Sequence, residues 1–209
     1  MGRPRTFDRD AALDQAMCLF WARGFEQTSI ADLTQELGIS APSLYAAFSD
    51  KRSLFEEAVE RYEASPRSVT TAGTRGTSER EVLTAMFDAA TQEYASGEHP
   101  RGCLVNSAPE LAVNRAQNRA TTAARLREVA DDDAAGCDPE TLADFAHVLL
   151  VGLSSYARDG ADEEHLRRVT DLALRAVSRR PRQDHHQTTG APTALPVPVT
   201  ADVVRPPIA

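Results

Sequence analysis

The chain has 209 residues, enough for one large or two small domains, and its formal net charge is −8 at pH 7. No apolar run is long enough to span a bilayer, and the first ten residues lack the apolar segment of a secretory signal. Cys18, Cys103 and Cys137 lack the spacing of metal ligands, so we expect a cytoplasmic protein with reduced thiols. We predict no metal, no cofactor and no membrane partner.

Near the N-terminus, residues 29–51 predict two short helices joined by a tight turn. Ser29 is suited to an N-cap, and Asp32 three residues later completes a capping box. Gly38 ends this helix because glycine adopts the left-handed conformation without steric cost. Ser40 caps the next helix, which has Pro42 in its first turn. Helix, glycine turn and helix form a helix-turn-helix, whose second helix enters the major groove of DNA.

The outward face of the second helix carries small side chains, where an ordinary exposed helix would carry Glu, Lys or Arg. Such a face suits close approach to another surface. Its small residues can approach thymine methyl groups, and Ser43 can donate or accept a hydrogen bond. Tyr45, Ser29 and Lys51 supply groups that can contact phosphates.

A longer set of residues at fixed spacing surrounds this motif: Gly24-Phe25, Thr28-Ser29-Ile30, Leu33, Leu37-Gly38-Ile39-Ser40, Pro42-Ser43-Leu44-Tyr45, Phe48, Lys51 and Leu54-Phe55. Over residues 8–60 this combination resembles the TetR family of transcriptional regulators. The resemblance implies an all-α protein. In that fold, an N-terminal three-helix helix-turn-helix DNA-binding domain is joined by a fourth helix to a C-terminal helical effector-binding and dimerisation domain.

The motif and the family resemblance together predict a set of DNA contacts. Thr28 is included because it belongs to the run of residues that matches the family. The predicted contacts are Arg3, Arg5, Thr28, Ser29, Ser40, Ala41, Pro42, Ser43, Tyr45, Ala46 and Lys51.

The charge distribution bears on this prediction, because a net charge of −8 alone disfavours DNA binding. Acidic and basic residues are nearly equal in number in the first 52 residues. The positions of the basic residues must therefore decide whether this part of the chain can bind DNA. Arg3 and Arg5 lie on a short arm before the first helix, and Lys51 and Arg52 begin the fourth helix. Lys51 opposes the helix dipole there, and a phosphate bound at that helix end would resolve the conflict. We expect modest nonspecific affinity, since few phosphates are neutralised.

The rest of the chain predicts a second helical domain and a tail. Residues 64–77 are typical of a loop, and helices are expected at 78–97, 113–130, 138–159 and 162–180. Ser107 and Glu110 form another capping box, which predicts a helix start near Pro109. The domains are therefore 1–63 for DNA binding and 64–180 for ligand binding and dimerisation. Residues 181–209 hold six of the twelve prolines, which indicates a disordered Pro-rich tail.

Two sites are predicted within the second domain. The effector pocket is expected to be lined by Met86, Phe87, Tyr94, Cys103 and Phe145. The last two helices are expected to pair with a symmetry mate as a four-helix bundle. That dimer interface is predicted to contain Leu149, Leu153, Leu166, Val169, Leu172 and Ala176.

The sequence therefore predicts a ligand-responsive, homodimeric repressor, released from double-stranded operator DNA by a small-molecule effector. The alternative is a redox or electrophile sensor of the same architecture that acts through Cys103. Arg101 and His99 lie close to Cys103 in sequence, and such neighbours lower a thiol pKa. A small buried packing residue is the other interpretation of Cys103.

Two further classes stay open at this point. An enzyme would use Cys103 as nucleophile and His99 or His147 as base, but no Asp or Asn can be assigned to orient the base. A helical adaptor would use the small-residue helix to bind protein alone. We predict that the chain is not an enzyme.

Overall fold

The computed structural model of the protein describes residues 7–130 and 137–177, and these residues contain helices and no strand. The arm with Arg3 and Arg5, the acidic run at 131–133 and the predicted tail at 181–209 lie outside these residues. A 3₁₀ turn at Pro109–Leu111 precedes α8. The helices are α1 Arg9–Arg23, α2 Ile30–Leu37, α3 Ala41–Phe48, α4 Lys51–Ala64, α5 Val69–Gly73, α6 Glu79–Ala95, α7 Leu104–Ser107, α8 Ala112–Val129, α9 Pro139–Arg158 and α10 Glu163–Val177.

Local capping sets the boundaries of the first helices, as predicted. Ser29 and Asp32 form both hydrogen bonds of a capping box at the start of α2. Gly38 ends α2 in the left-handed conformation, with φ of 63°. Ser40 caps α3 by accepting a hydrogen bond from the Ser43 backbone N–H. These short-range signals confirm the predicted helix-turn-helix.

Helices α1 to α4, which we call the reading domain, close around an aromatic core. The Phe20 and Phe55 rings meet edge to face, with centroids 5.1 Å apart, and Phe25 packs 5.0 Å from Phe55. The recognition helix α3 adds Leu44 and Phe48, which are 0% and 1% exposed. The eight residues of α3 are too few for an isolated helix, so this burial maintains it.

The C-terminal domain is organised around α6, which packs against α5, α8, α9 and α10. Met86, Phe87 and Tyr94 of α6 are each at most 1% exposed. No helix in residues 7–130 and 137–177 combines the length and apolar character needed to cross a membrane. The all-α architecture predicted from the sequence is confirmed.

Two local predictions in this domain were wrong. The stretch at 64–77 contains the short helix α5, which packs its Gly73 so closely on Met86 that a Cβ there would lie 2.5 Å from Met86 Cγ. The loop-like composition of this stretch did not indicate a helix, because so short a helix depends on tertiary packing more than on its own sequence. Ser107 does not cap a helix, since its Oγ donates to the Cys103 carbonyl oxygen at 2.7 Å.

The segment between α6 and α7 is held against α9 at Gly102. This residue has φ of 82°, and its backbone N–H donates to the Tyr94 carbonyl oxygen at 2.9 Å. A Cβ at Gly102 would lie 2.8 Å from both the carbonyl oxygen and the Oγ of Ser154. Conformation and space therefore both require glycine here.

Replacing Gly102 by alanine is expected to lower the free energy of unfolding by about 2–5 kcal/mol. A left-handed non-glycine residue costs about 1–2 kcal/mol, and overpacking costs about 1–3 kcal/mol. Urea unfolding followed by circular dichroism, at one fixed protein concentration, measures the change.

Gly97→Ala is the matched control, because a Cβ at Gly97 meets nothing within 4 Å. Its free energy of unfolding is expected to stay within about 0.5 kcal/mol of the original. Equal unfolding midpoints for the two variants would contradict the role of Gly102.

Candidate nucleic-acid interface

The exposed face of α3 is the centre of the candidate interface. Tyr45 is 47% exposed, and Ser40, Pro42 and Ala46 are also exposed. Ala41 and Ser43 are half-buried beside them. The structure thus brings these six predicted contacts together on an uncharged, small-residue surface that allows close approach to base edges.

Ser40 and Ser43 form a hydroxyl pair at the start of α3. The Ser40 Oγ accepts from the Ser43 backbone N–H at 3.3 Å and lies 2.9 Å from the Ser43 Oγ. Since the cap fixes Ser40, the Ser43 hydroxyl has a defined position from which to donate or accept.

Ser29 at the start of α2 is already bound to a carboxylate. Its Oγ donates to Asp32 Oδ2 at 2.5 Å, and Arg23 Nη1 donates to Asp32 Oδ1 at 3.0 Å. The hydrogen bonds from Ser29, followed by the charge of Arg23, lower the pKa of Asp32. Asp32 is therefore ionised at neutral pH, and a DNA phosphate at Ser29 must compete with it. The Ser29 contact stays a prediction.

The structure gives Lys51 a different partner from the phosphate predicted at the start of α4. Its Nζ donates to the carbonyl oxygens of Phe25 at 2.8 Å and Thr28 at 2.9 Å, and lies 4.1 Å from the Phe25 ring centroid. The N-terminus of α4 is capped by Asp50, which accepts from the Ser53 N–H at 2.8 Å and whose pKa is lowered by that bond. Lys51 thus fixes the loop between α1 and α2.

Thr28 belongs to the same loop and supports it from inside. Its side chain is fully buried, and its hydroxyl donates to the Gly24 carbonyl oxygen at 2.7 Å. Burial removes Thr28 from the proposed contacts. A short pattern match cannot distinguish a loop-supporting hydroxyl from one that faces DNA.

Arg9 is a positioning residue that the sequence analysis missed. Its Nη2 donates to the Ala47 carbonyl oxygen at 3.2 Å and to Glu57 Oε2 at 2.7 Å, and its guanidinium lies 4.5 Å from the Phe48 ring centroid. Arg9 therefore joins the end of α3 to α1 and α4. A cation in the first turn of α1 opposes the helix dipole, and this was the available sequence signal.

In the described part of the chain, the residues predicted to line an effector pocket do not come together, since some lie in the core and one faces outward. Met86, Phe87 and Tyr94 are packed in the core, whereas Phe145 is 37% exposed on α9. The interior cavity beside Tyr94 and Cys103 measures about 20 Å³, room for little more than one water molecule. The Phe145 prediction was wrong because α9 turns that residue outward.

The dimer prediction also needs correction. Leu153 and Leu166 are 2% and 0% exposed, so both belong to the core of a single chain. Val169 and Leu172 are 36% and 63% exposed, Ala176 is exposed and Leu149 is half-buried. The exposed apolar side of α9 consists of Phe145, Val148, Val151 and Tyr156, and the predicted dimer interface included none of them.

Cys103 lies in surroundings opposite to those expected of a reactive thiol. It is 6% exposed, and burial raises its pKa although the Tyr62 hydroxyl donates to its Sγ at 3.2 Å. Arg101 donates instead to the Ala161 carbonyl oxygen, and His99 Nε2 lies 3.0 Å from Glu93 Oε2. The structure therefore contradicts the lowered pKa of the reactive-thiol interpretation and agrees with the other interpretation, a small buried packing residue.

His147, the other candidate base, contacts a hydroxyl. Its Nε2 lies 3.2 Å from Thr122 Oγ1. Burial, followed by the charge of Arg119, lowers the pKa of His147. The ring is therefore neutral at pH 7 and serves as a polar member of the α8–α9 packing.

A thiol-reactive disulfide reagent at pH 7 is expected to modify Cys137 quickly and Cys103 slowly. Cys137 is exposed, whereas a buried thiol with a raised pKa holds little thiolate at that pH. Mass spectrometry of peptides at successive times measures both rates.

The rate at Cys103 should rise as the pH increases, because a raised pKa moves thiolate formation to higher pH. Denaturant should make the two rates similar. Faster modification of Cys103 than of Cys137 in the folded protein would restore the reactive-thiol interpretation.

Comparison with known proteins agrees with this geometry. The family model described as "Bacterial regulatory proteins, tetR family" matches residues 12–58. The HTH-type transcriptional repressor ComR of Escherichia coli (strain K12) is 34% identical over 190 residues, covering 83% of this chain and 90% of that protein. The HTH-type transcriptional repressor BdcR of the same strain is 31% identical over 187 residues, covering 84% and 92%.

A solved structure extends the likeness to a DNA complex. A cysteine mutant of the TetR family transcriptional regulator CifR, complexed with 26bp double-strand operator DNA, superposes with a TM-score of 0.76. It is 40% identical and covers 84% of this chain and 100% of that chain. With the family match on the helix-turn-helix, these likenesses confirm the resemblance seen in the sequence: the chain belongs to the TetR family of DNA-binding transcriptional regulators, which are not enzymes.

Proposed function

We propose that the protein is a homodimeric repressor that places two α3 helices on double-stranded operator DNA and leaves it when a small-molecule effector binds. The observation that carries this proposal is the uncharged face of α3, a helix that Arg9 holds through the Ala47 carbonyl oxygen while Lys51 fixes the loop before α2. The names of ComR and BdcR as repressors, and the operator complex of CifR, support it.

The DNA contacts divide into two kinds. Ala41, Pro42, Ser43 and Ala46 face base edges, where small groups and one hydroxyl can read shape and thymine methyl groups. The phosphate contacts come from Ser40, Tyr45, Ser29 and the arm residues Arg3 and Arg5, with Lys51 in a supporting position.

We assign residues 1–63 to DNA binding and 64–180 to effector binding and dimerisation, with α4 as the connection. Arg61 of α4 bonds to Asp14 of α1 through Nε and Oδ1 at 2.5 Å. Two residues further on in the same last turn, Glu63 accepts from the side-chain amides of Asn114 and Asn118 of α8, each at 3.0 Å. A shift of α8 therefore pulls on α4 and changes the separation of the two α3 helices, which one turn of DNA sets at about 34–36 Å.

The exposed apolar sides of α9 and α10 are the proposed dimer interface. Val148 is 74% exposed and Leu172 is 63% exposed, a large apolar exposure for neighbouring helices of one chain. Pairing with the same surface of a second copy forms a four-helix bundle and buries these side chains.

Sequence-selective binding to fragments of the source genome tests the function, and Tyr45→Phe tests the assigned interface. The full-length protein should show saturable binding to selected fragments by fluorescence anisotropy. Loss of the Tyr45 hydroxyl should weaken binding roughly tenfold on selected and random DNA alike, because phosphate contacts carry no direct sequence information.

Thr121→Val, which removes a hydroxyl that bonds within α8 outside both proposed interfaces, is the control and should leave DNA affinity unchanged. Equal affinities for the Tyr45 variant and the original protein would remove Tyr45 from the interface. Absence of sequence-selective binding would contradict the proposed function.

Leu172→Asp is expected to convert the dimer into folded monomers. Because Leu172 is 63% exposed in one chain, the substitution buries a charge only when a second chain covers it. Sedimentation velocity over a range of concentrations measures the oligomeric state, and circular dichroism verifies the helices. Operator affinity should collapse, since two half-sites require two coupled recognition helices.

Val113→Asp provides the control on α8, where Val113 is 80% exposed and lies outside the proposed interface. This variant should remain dimeric and bind the operator normally. A Leu172→Asp protein that stays dimeric would move the interface away from α10.

A further inference from the structure

A cleft of about 280 Å³ lies between the reading domain and the C-terminal domain. We call it the junction cleft. One wall comes from the end of α1 and the loop after it, and the other from α7, the 3₁₀ turn and the end of α9. Its volume is close to the lower end of the roughly 300–1,000 Å³ typical of small-molecule sites, whereas the interior cavity beside Cys103 holds about 20 Å³.

The junction cleft has apolar walls. Phe20, Trp21, Phe25, Leu104 and Pro109 all line it. Aromatic and aliphatic side chains with a few polar groups are the usual lining of a pocket that binds an organic molecule. The cleft therefore suits a compact apolar body.

Two hydrogen-bond donors on this lining have unused capacity. Trp21 is 2% exposed, and its indole Nε1 has no acceptor within the described part of the chain. Among those residues Arg158 makes one hydrogen bond, from Nη1 to the Trp21 carbonyl oxygen at 3.2 Å, and no ion pair. A buried N–H without a partner costs free energy, so the Trp21 indole favours an acceptor that arrives with a ligand, and the exposed Arg158 guanidinium adds a positive charge beside it.

We propose that the junction cleft binds a small organic carboxylate, with its charge at Arg158 and Trp21 and its apolar body between Phe20, Phe25 and Leu104. A carboxylate is the group that a guanidinium binds through two parallel hydrogen bonds. Glu26 and Glu110 also line the cleft, but both side chains are exposed to water, which screens their repulsion.

The consequence for DNA binding rests on the proposed repressor function and follows from the position of Trp21. The Trp21 ring stacks on His99 with centroids 4.5 Å apart and meets Tyr62 of α4 edge to face at 5.1 Å. A ligand between α1 and the 3₁₀ turn therefore changes the contact of the reading domain with α4 and with the segment before α7. Couplings of this kind alter DNA affinity by roughly 5- to 150-fold.

Trp21 is the single tryptophan of the chain, so its indole reports directly on this site. The experiment titrates ¹⁵N-labelled full-length protein with benzoate, phenylacetate and 1-naphthoate and follows the indole ¹H–¹⁵N resonance. Saturable shifts are expected from at least one carboxylate. Its neutral amide should bind roughly tenfold more weakly, because the amide lacks the charge that Arg158 recognises.

Two substitutions predict opposite changes in affinity. Arg158→Met keeps an unbranched apolar side chain and removes the guanidinium, so carboxylate binding should weaken roughly tenfold or more. Glu110→Gln removes a repulsive charge at the cleft and should tighten carboxylate binding. Arg119→Met is the control, since Arg119 pairs with Asp144 on the α8–α9 surface, and it should leave the affinity unchanged.

Two results would overturn the proposal. One is a carboxylate that binds the Arg158→Met protein as tightly as the original protein, and the other is no resonance shift with any of the three carboxylates. Preferential binding of the amides would overturn the ligand class. If Arg158→Met fails to fold by circular dichroism, the amide comparison and Glu110→Gln still decide.

Operator binding separates this inference from the proposed function. Selective operator binding without carboxylate-induced shifts overturns the proposed carboxylate site in the junction cleft and leaves the proposed repressor function intact. Carboxylate shifts without operator binding support the ligand site and overturn the repressor function.

Discussion

The reading domain depends on a contact between one ammonium group and two backbone carbonyl groups. Lys51 joins the start of α4 to Phe25 and Thr28, and thereby sets where α2 begins relative to α4. The recognition helix is short, uncharged and anchored in the core by Leu44 and Phe48. The neighbours of α3 therefore set its orientation on DNA, and Arg9 completes this arrangement at the C-terminal end of α3.

Helix α4 is attached to both parts of the protein within its last turn. Arg61 joins it to Asp10 and Asp14 of α1, while Glu63 joins it to two asparagines of α8. Tyr62, between them, contacts Trp21 on one side and Cys103 on the other. Burial raises the pKa of Tyr62 well above its usual value, so this hydroxyl remains a neutral donor. Within the last turns of α4, the protein thus combines a contact to the DNA-facing part with contacts to the C-terminal core.

The sequence was most informative where the physical signal is local. The caps at Ser29 and Ser40 and the left-handed turn at Gly38 were predictable because each depends on neighbours within four residues. The site on α3 followed from them, since the outward residues of a short capped helix are set by its period.

Long-range geometry could not be obtained in this way. Helix α9 is apolar on two sides, and periodicity alone does not decide which side meets α6, so Leu153 was placed outward and Val148 was left out of the interface. Lys51 was assigned to a phosphate because its acceptors lie 26 and 23 residues away in sequence. The junction cleft has no sequence signature, since its walls come from separate parts of the chain.

The two attachments in the last turn of α4 differ in chemistry, so they respond differently to salt. The pairing of Arg61 with Asp10 and Asp14 is between full charges at a partly exposed surface, and mobile ions screen such attraction. Glu63 is held by neutral amide groups of Asn114 and Asn118, where no second charge exists to be screened. Raising the ionic strength therefore weakens the ion pairs between α4 and α1 more than the amide hydrogen bonds between α4 and α8, and the attachment of α1 to α4 then depends on the aromatic core of Phe20 and Phe55.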